Sequence, residues 1–81
     1  MTVNNIRDYM QPGRRAHLVG IGGVSMAPLA EVLHGAGMVI TGSDRQESAA
    51  VTHLRSLGIQ VTIGHLPESV RGADCVIRTA A

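Results

Sequence analysis

The stretch Gly20-Ile21-Gly22-Gly23-Val24-Ser25-Met26 decides the fold class, because it joins the apolar run Leu18-Val19 to a helix-like segment. A glycine turn at such a junction lets the backbone come close to a ligand, since no Cβ intervenes. The helix that follows aims its free N–H groups, and the positive end of its dipole, at an anion. The stretch therefore predicts a phosphate site in an α/β protein, at Gly22, Gly23, Val24 and Ser25.

A second apolar run closes on Gly42-Ser43-Asp44. In nucleotide-binding α/β domains, an acidic residue at the end of the second strand commonly contacts a ribose hydroxyl. Asp44 is therefore a candidate ligand contact, with a simple turn aspartate as the alternative. Ser43 beside it is equally well explained as a turn residue.

Strands and helices alternate along the rest of the chain. Apolar runs predict strands over residues 17–21, 38–41, 60–63 and 75–78. One helix is predicted to follow the N-cap Ser25, with Pro28 harmless as its third residue, and to be ended by Gly35 and Gly37. A second helix is predicted over residues 49–57, between Ser48 and Gly58. This order predicts a Rossmann-like, three-layer α/β fold with a parallel sheet of order 3-2-1-4.

The domain organisation follows from the same pattern. Residues 1–15 are predicted to be an N-terminal arm, and residues 16–81 a Rossmann-like domain that is truncated after strand four. Because strand four should lie at a sheet edge, self-association through that edge is expected. We interpret the 81 residues as a fragment of a longer protein.

Composition narrows the function classes. The net charge is +1 and the seven cationic residues, all Arg, form no basic stripe, so nucleic-acid binding is not expected. No run is long enough to span a membrane. The single cysteine, Cys75, fits a reducing cytoplasm, and four scattered histidines predict no metal site. His17 is expected to be structural or solvated at the far end of strand one. No nucleophile–base pair is found, so no catalytic residue is predicted.

The run from His17 to Leu33, HLVGIGGVSMAPLAEVL, resembles the opening of the Mur ligases. The resemblance extends over residues 16–81. The later landmarks follow in the same order: Thr41-Gly42-Ser43-Asp44, Leu57-Gly58, Gly64-His65 and Gly72-Ala73-Asp74. These motifs are most similar to those of the family branch that adds L-alanine to UDP-N-acetylmuramate.

The resemblance implies an N-terminal domain that binds the UDP part of UDP-N-acetylmuramate for peptidoglycan precursor synthesis. The 22–25 loop would hold the pyrophosphate, Ser43 and Asp44 would lie near the ribose and uracil, and His65, Thr79 and Ala80 would border the uridine. ATP and Mg²⁺ would bind in a central domain that this chain lacks. The fragment itself would therefore hold no cofactor and be inactive alone.

The residues alone are compatible with two other functions. Asp44 lies 24 residues after Gly20, a spacing that also suits the NAD-binding Rossmann domain of a dehydrogenase or channel regulator. Against NAD, Ser25 occupies the position where the dinucleotide fingerprint has its third glycine. The third possibility is a scaffold that has lost its ligand. Titration with UDP and with NAD separates the three.

Overall fold

A computed structural model of the chain describes residues 12–64 and 68–78. Strands and helices alternate as β1 (Arg15–Val19), α1 (Met26–Gly35), β2 (Val39–Asp44), α2 (Ala49–Ser56), β3 (Gln60–Ile63), a 3₁₀ helix (Glu68–Gly72) and β4 (Cys75–Arg78). The four strands form one parallel sheet in the order β3-β2-β1-β4. The predicted Rossmann-like α/β class and strand order 3-2-1-4 are confirmed.

The core lies between the sheet and its two α-helices, which contact each other and so share one face. Alternate residues of a strand point to opposite faces, which places Ala16 and Leu18 of β1 toward the helices. The buried apolar side chains of the core are Ala16, Leu18, Ile21, Met26, Ala30, Leu33, Met38, Ile40, Val51, Leu54, Ile59, Val61 and Ile77. Because the chain has no Phe or Trp, the sheet packs against the helices through these small, non-aromatic side chains.

Local signals set the ends of the second helix and the last two strands. The Ser48 hydroxyl accepts the Val51 N–H at 3.1 Å, as expected of an N-cap. After α2, Gly58 has a φ of +95°, a conformation that glycine adopts without a steric penalty. The strands predicted at 60–63 and 75–78 are found with those bounds.

The first two strands differ from their predicted bounds. Strand one was predicted over 17–21, but β1 spans Arg15–Val19 because Gly20, with a φ of +75°, breaks the extended backbone. Ile21 resembles a strand residue only because its side chain is buried in the core. Strand two was predicted over 38–41, but β2 continues to Asp44, since its last residues pair with both β1 and β3.

The connection from β3 to β4 crosses the sheet in the opposite direction from the two α-helical crossovers, as the strand order requires. Its described part includes the 3₁₀ helix, which contacts β1. Within residues 12–64 and 68–78, none of the helices has both the length and the apolar character needed to cross a membrane.

Candidate functional site

The glycine loop, residues 20–25, follows β1 directly at the carboxyl edge of the sheet. Its first turn is bonded within the protein: the N–H groups of Gly20 and Ile21 both donate to the Ser43 carbonyl, at 2.8 and 3.1 Å. The Gly23 N–H donates to the Gly20 carbonyl at 3.0 Å. The loop is therefore fixed against the end of β2 by its own backbone.

Helix α1 begins with donors that the rest of the described chain does not use. Ser25 is the N-cap and Pro28 the third helical residue, as predicted. The Ser25 side chain makes no capping hydrogen bond, because its backbone is already helical (φ −91°, ψ −31°) instead of extended. Among the described residues, no acceptor contacts the N–H groups of Val24, Ser25 or Met26. Three adjacent free donors therefore remain available for an anion.

Asp44 lies beside this loop and contacts it. One carboxylate oxygen accepts the Gly22 N–H at 2.8 Å, and the other accepts the Arg45 N–H at 2.7 Å. The structure thus brings Asp44 and the glycine loop together, as their positions after neighbouring parallel strands predicted. The side chain is partly exposed, so it remains accessible from the carboxyl edge.

The contact also explains why residue 22 is a glycine. A Cβ on Gly22 would lie 2.8 Å from the Asp44 carboxylate, 3.0 Å from Val51 Cγ2 and 3.2 Å from Ser48 Oγ. Close packing within the protein therefore demands glycine here, whether or not a ligand approaches. Because the N–H groups of Gly22 and Gly23 are already bonded, the donors left for an anion are those of residues 24–26.

Ser43 does not join the glycine loop through its side chain. It is only 4 % exposed, and its hydroxyl lies 3.1 Å from His17 Nε2. The other ring nitrogen of His17, Nδ1, lies 2.8 Å from Thr41 Oγ1. A neutral imidazole offers one donor and one acceptor, which these two hydroxyls can match. The contact of Ser43 with the rest of the site is made by its backbone carbonyl alone.

His17 is structural, although it is not at the end of β1, where the sequence placed it. It is the third of the five strand residues, fully buried and on the face opposite to Ala16 and Leu18. A signal for this cluster exists in the sequence: His17 interrupts an apolar strand, and Thr41 and Ser43 are two residues apart on the next strand. Only the strand register shows that the three meet.

Burial lowers the pKa of His17 below its usual value, because desolvation disfavours the charged imidazolium. The folded state therefore favours neutral His17, and this contribution to stability is complete above the unfolded-state pKa of about 6.5. This contribution of neutral His17 to stability is lost as the pH falls through the lower folded-state pKa.

In urea titrations between pH 8 and pH 5, we expect His17→Gln to reduce the loss of stability on acidification. His34→Gln on α1 should retain the wild-type loss, and equal pH profiles for all three proteins would contradict the prediction.

The remaining predicted ligand contacts lie outside the described residues; they are His65, Thr79 and Ala80.

In the described ranges, no group of three His, Cys, Asp or Glu side chains could hold a metal ion. Burial and the neighbouring Asp74 carboxylate raise the pKa of Cys75, which disfavours its reactive thiolate form. Among the described residues of the glycine loop and the start of α1, at this edge of the sheet, the N–H groups of Val24, Ser25 and Met26 are the donors without an acceptor.

Comparison with known proteins finds relatives of a single family. The family described as Mur ligase family, catalytic domain, matches residues 15–81. The chain is 53 % identical, over 98 % of its length, to UDP-N-acetylmuramate–L-alanine ligase of Legionella pneumophila, and spans 18 % of that protein. It is 55 % identical, over 80 % of its length, to the enzyme of the same name from Neisseria gonorrhoeae, and spans 14 % of it. Since the family match includes all four strands and the whole glycine loop, this chain belongs to the Mur ligase family.

Proposed function

We propose that this chain binds the UDP part of UDP-N-acetylmuramate for a UDP-N-acetylmuramate–L-alanine ligase. The observation that carries the proposal is the set of N–H groups at residues 24–26 that no described residue accepts, directly after the Gly22 N–H that the Asp44 carboxylate holds. They follow β1, which lies between β2 and β4, the point where the strand order reverses. Ligands of open α/β sheets bind at the carboxyl ends of strands at this switch point. The names of the relatives support the choice of nucleotide.

In this proposal, the pyrophosphate lies at the start of α1 and accepts hydrogen bonds from the N–H groups of Val24, Ser25 and Met26. The partial positive charge of a helix N-terminus stabilises a dianion there. Asp44, partly exposed beside the loop, is placed to accept a ribose hydroxyl. The uridine is proposed to be bordered by His65, Thr79 and Ala80.

The chemistry of ligation is proposed to belong to other parts of the parent enzyme. The parent would use ATP and Mg²⁺ to activate the muramic acid carboxylate for attack by the alanine amine. The 81 residues contain no lysine and hence no P-loop, which needs one for the nucleotide phosphates. A cytoplasmic location is proposed with it, and the free thiol of Cys75 agrees with a reducing compartment.

An NMR titration with UDP tests the proposal. We expect the largest amide shifts at Val24, Ser25 and Met26, and smaller ones at Gly22 and Gly23, whose N–H groups are already bonded. The amides that begin α2 provide the control, because the Ser48 cap occupies that helix start. The same preparation should release no phosphate from ATP when UDP-N-acetylmuramate and alanine are added. Shifts of the loop amides with NAD but not with UDP would contradict the proposal.

Self-association through β4 is proposed as a second property of the chain. Among the described residues, β4 pairs with β1 on one side and with no strand on the other, and Val76 is 38 % exposed. A free strand edge can pair with another chain, and a lysine on such an edge opposes this pairing.

Sedimentation should detect dimers at high concentration, and Val76→Lys should reduce them. Val39→Lys, a change of an exposed valine on the interior strand β2, is the control, and a monomeric wild type would refute the idea.

A further inference from the structure

β4 has a free edge in the described part of the chain, and the strand register shows which backbone groups point to it. Between β1 and β2, the Arg14 carbonyl accepts the Val39 N–H at 2.8 Å. Just after β1, the Gly20 N–H donates to the Ser43 carbonyl, also at 2.8 Å. Even-numbered residues along β1 therefore bond to β2. Because successive residues of a strand direct their backbone groups to opposite sides, the odd-numbered residues of β1 bond to β4.

The register between β1 and β4 then identifies the unpaired groups of β4. In a parallel pair, a residue that directs its N–H and C=O groups at the neighbouring strand lies opposite a residue whose groups point away from it. His17 is in register with Val76, and Val19 with Arg78. The N–H and C=O groups of Val76 and Arg78 therefore point to the free edge. Such groups are a template for a strand of another chain.

The two ends of this edge carry opposite charges that the described residues leave partly unused. Arg78, at the carboxyl end of β4, makes no ion pair with a described carboxylate. Asp74 directly precedes β4, and its Oδ2 accepts the Arg15 N–H at 2.8 Å. The other oxygen, Oδ1, lies 4.0 Å from Arg14 Nη1, which is too far for a hydrogen bond. Because Asp74 is exposed, Oδ1 is accessible to a second cation.

Two copies of β4 related by a two-fold axis at Val76 match these charges. In an antiparallel pair about that axis, position 74 of each copy lies opposite position 78 of the other, so an acid meets a base on both sides of the axis. Val76, which is in register with His17, points to the sheet face away from α1 and α2. The two exposed Val76 side chains would meet there, between the two ion pairs.

Other positions of the axis lose this match. An axis at Cys75 or Ile77 would place Val76 opposite Asp74 or Arg78, so that neither charge meets its opposite. An axis at Arg78 would bring the two arginines together, and like charges directly opposite each other destabilise a strand pair.

We propose that a second copy of this chain docks on the free edge of β4, antiparallel to it about an axis at Val76, with Asp74 of each copy paired to Arg78 of the partner subunit. The inference rests on the self-association proposed above, and it adds the direction and the register. The Val76 N–H of each copy donates to the Val76 carbonyl of the other, which joins the two sheets into one. Because the interface is isologous, every contact occurs twice.

Sedimentation equilibrium with charge variants tests the register. Arg78→Asp places two aspartates opposite each other on both sides of the axis, and we expect the dimer affinity to fall by roughly tenfold or more. Asp74→Arg should have the same effect, with two arginines opposite each other. An equimolar mixture of the two variants should recover the dimers, because each pair again joins opposite charges. Arg45→Asp makes the same charge change at an exposed site after β2, and this control should dimerise as the wild type does.

The wild-type chain covers the case in which a charge variant fails to fold. In an antiparallel pair about Val76, Cys75 and the partner's Ile77 form a non-hydrogen-bonded pair, whose Cα atoms approach to about 4.5 Å. NMR of a mixture of isotope-labelled and unlabelled chains should therefore detect a contact between the Hα atoms of these two residues. Hα contacts between two Cys75 residues, or between two Ile77 residues, would overturn the inference, because they place the axis elsewhere.

These experiments separate the register from self-association itself. If Arg78→Asp dimerises as strongly as the wild type, the register is refuted and self-association through β4 is retained. If the wild type stays monomeric at high concentration, both are refuted. The UDP titration described above measures nucleotide binding independently of either outcome.

Discussion

Gly42→Ala should destabilise this domain by about 3 kcal/mol, near the upper end of the usual range for overpacking a core. A Cβ on Gly42 would lie 2.7 Å from Ile21 Cβ and 2.8 Å from Ile21 Cγ2. Ile21 is fully buried, and its N–H is bonded to the Ser43 carbonyl, so it has little room to move. For a domain of this size, such a loss lowers the melting temperature by roughly 12–24 °C.

Gly35→Ala is the matched control for this change. Gly35 is the last residue of α1, and a Cβ there would meet nothing within 4 Å. Alanine is favoured over glycine in a helix by up to about 1 kcal/mol, so this variant should be as stable as the wild type or more so. Thermal melts followed by circular dichroism compare the three proteins. A melting temperature for Gly42→Ala within about 2 °C of the wild type would contradict the prediction. It would show that Ile21 moves aside for the added Cβ at little cost in stability.

Leu33→Ala should cost about 2–5 kcal/mol, through lost burial and the cavity left behind. Leu33 is 1 % exposed on the inner face of α1, between the helix and the sheet. In a chain of 81 residues the core is small, and the part of the chain that the structure describes has no aromatic side chain to fill the gap. The loss is a large part of the total stability that a domain of this length has.

Val32→Ala, one residue earlier on α1, is the comparison for Leu33→Ala. Val32 is 60 % exposed, so little apolar burial is lost when it is shortened. Alanine is also the better helix former, and the free energy of unfolding should change by less than about 0.5 kcal/mol. Urea denaturation measures both variants. Similar losses at the two positions would mean that α1 does not pack on the sheet as described.

Much of the fold could be predicted from the sequence because its signals are local. Apolar runs and the turns between them predict four parallel strands and two helices, in the observed order. Ser48 caps α2 and Gly58 ends it through bonds and dihedral angles that involve only neighbouring residues. Where a non-local effect intervened, the prediction was wrong by a few residues: pairing with β1 and β3 extends β2 to Asp44.

The candidate site could be predicted only in outline. The sequence indicated the glycine loop and the aspartate at the end of β2, because each follows a strand of a parallel sheet. It did not indicate that the Gly22 N–H is bonded to Asp44, which leaves the donors to residues 24–26. Ser43 was predicted as a ligand contact or a turn residue, and the sequence did not indicate that its hydroxyl contacts His17.

The sequence by itself therefore determined the order of the elements, the strand order and the edge of the sheet where the glycine loop lies. Only the tertiary structure decided which atoms of that edge remain free. Asp44 contacts Gly22, and His17 contacts Thr41 and Ser43, across more than twenty residues of chain. These pairs depend on the register between strands, and a shift of one residue would turn every side chain of a strand to the other face. Register is fixed by the packing of the whole core, which no local stretch of the sequence contains.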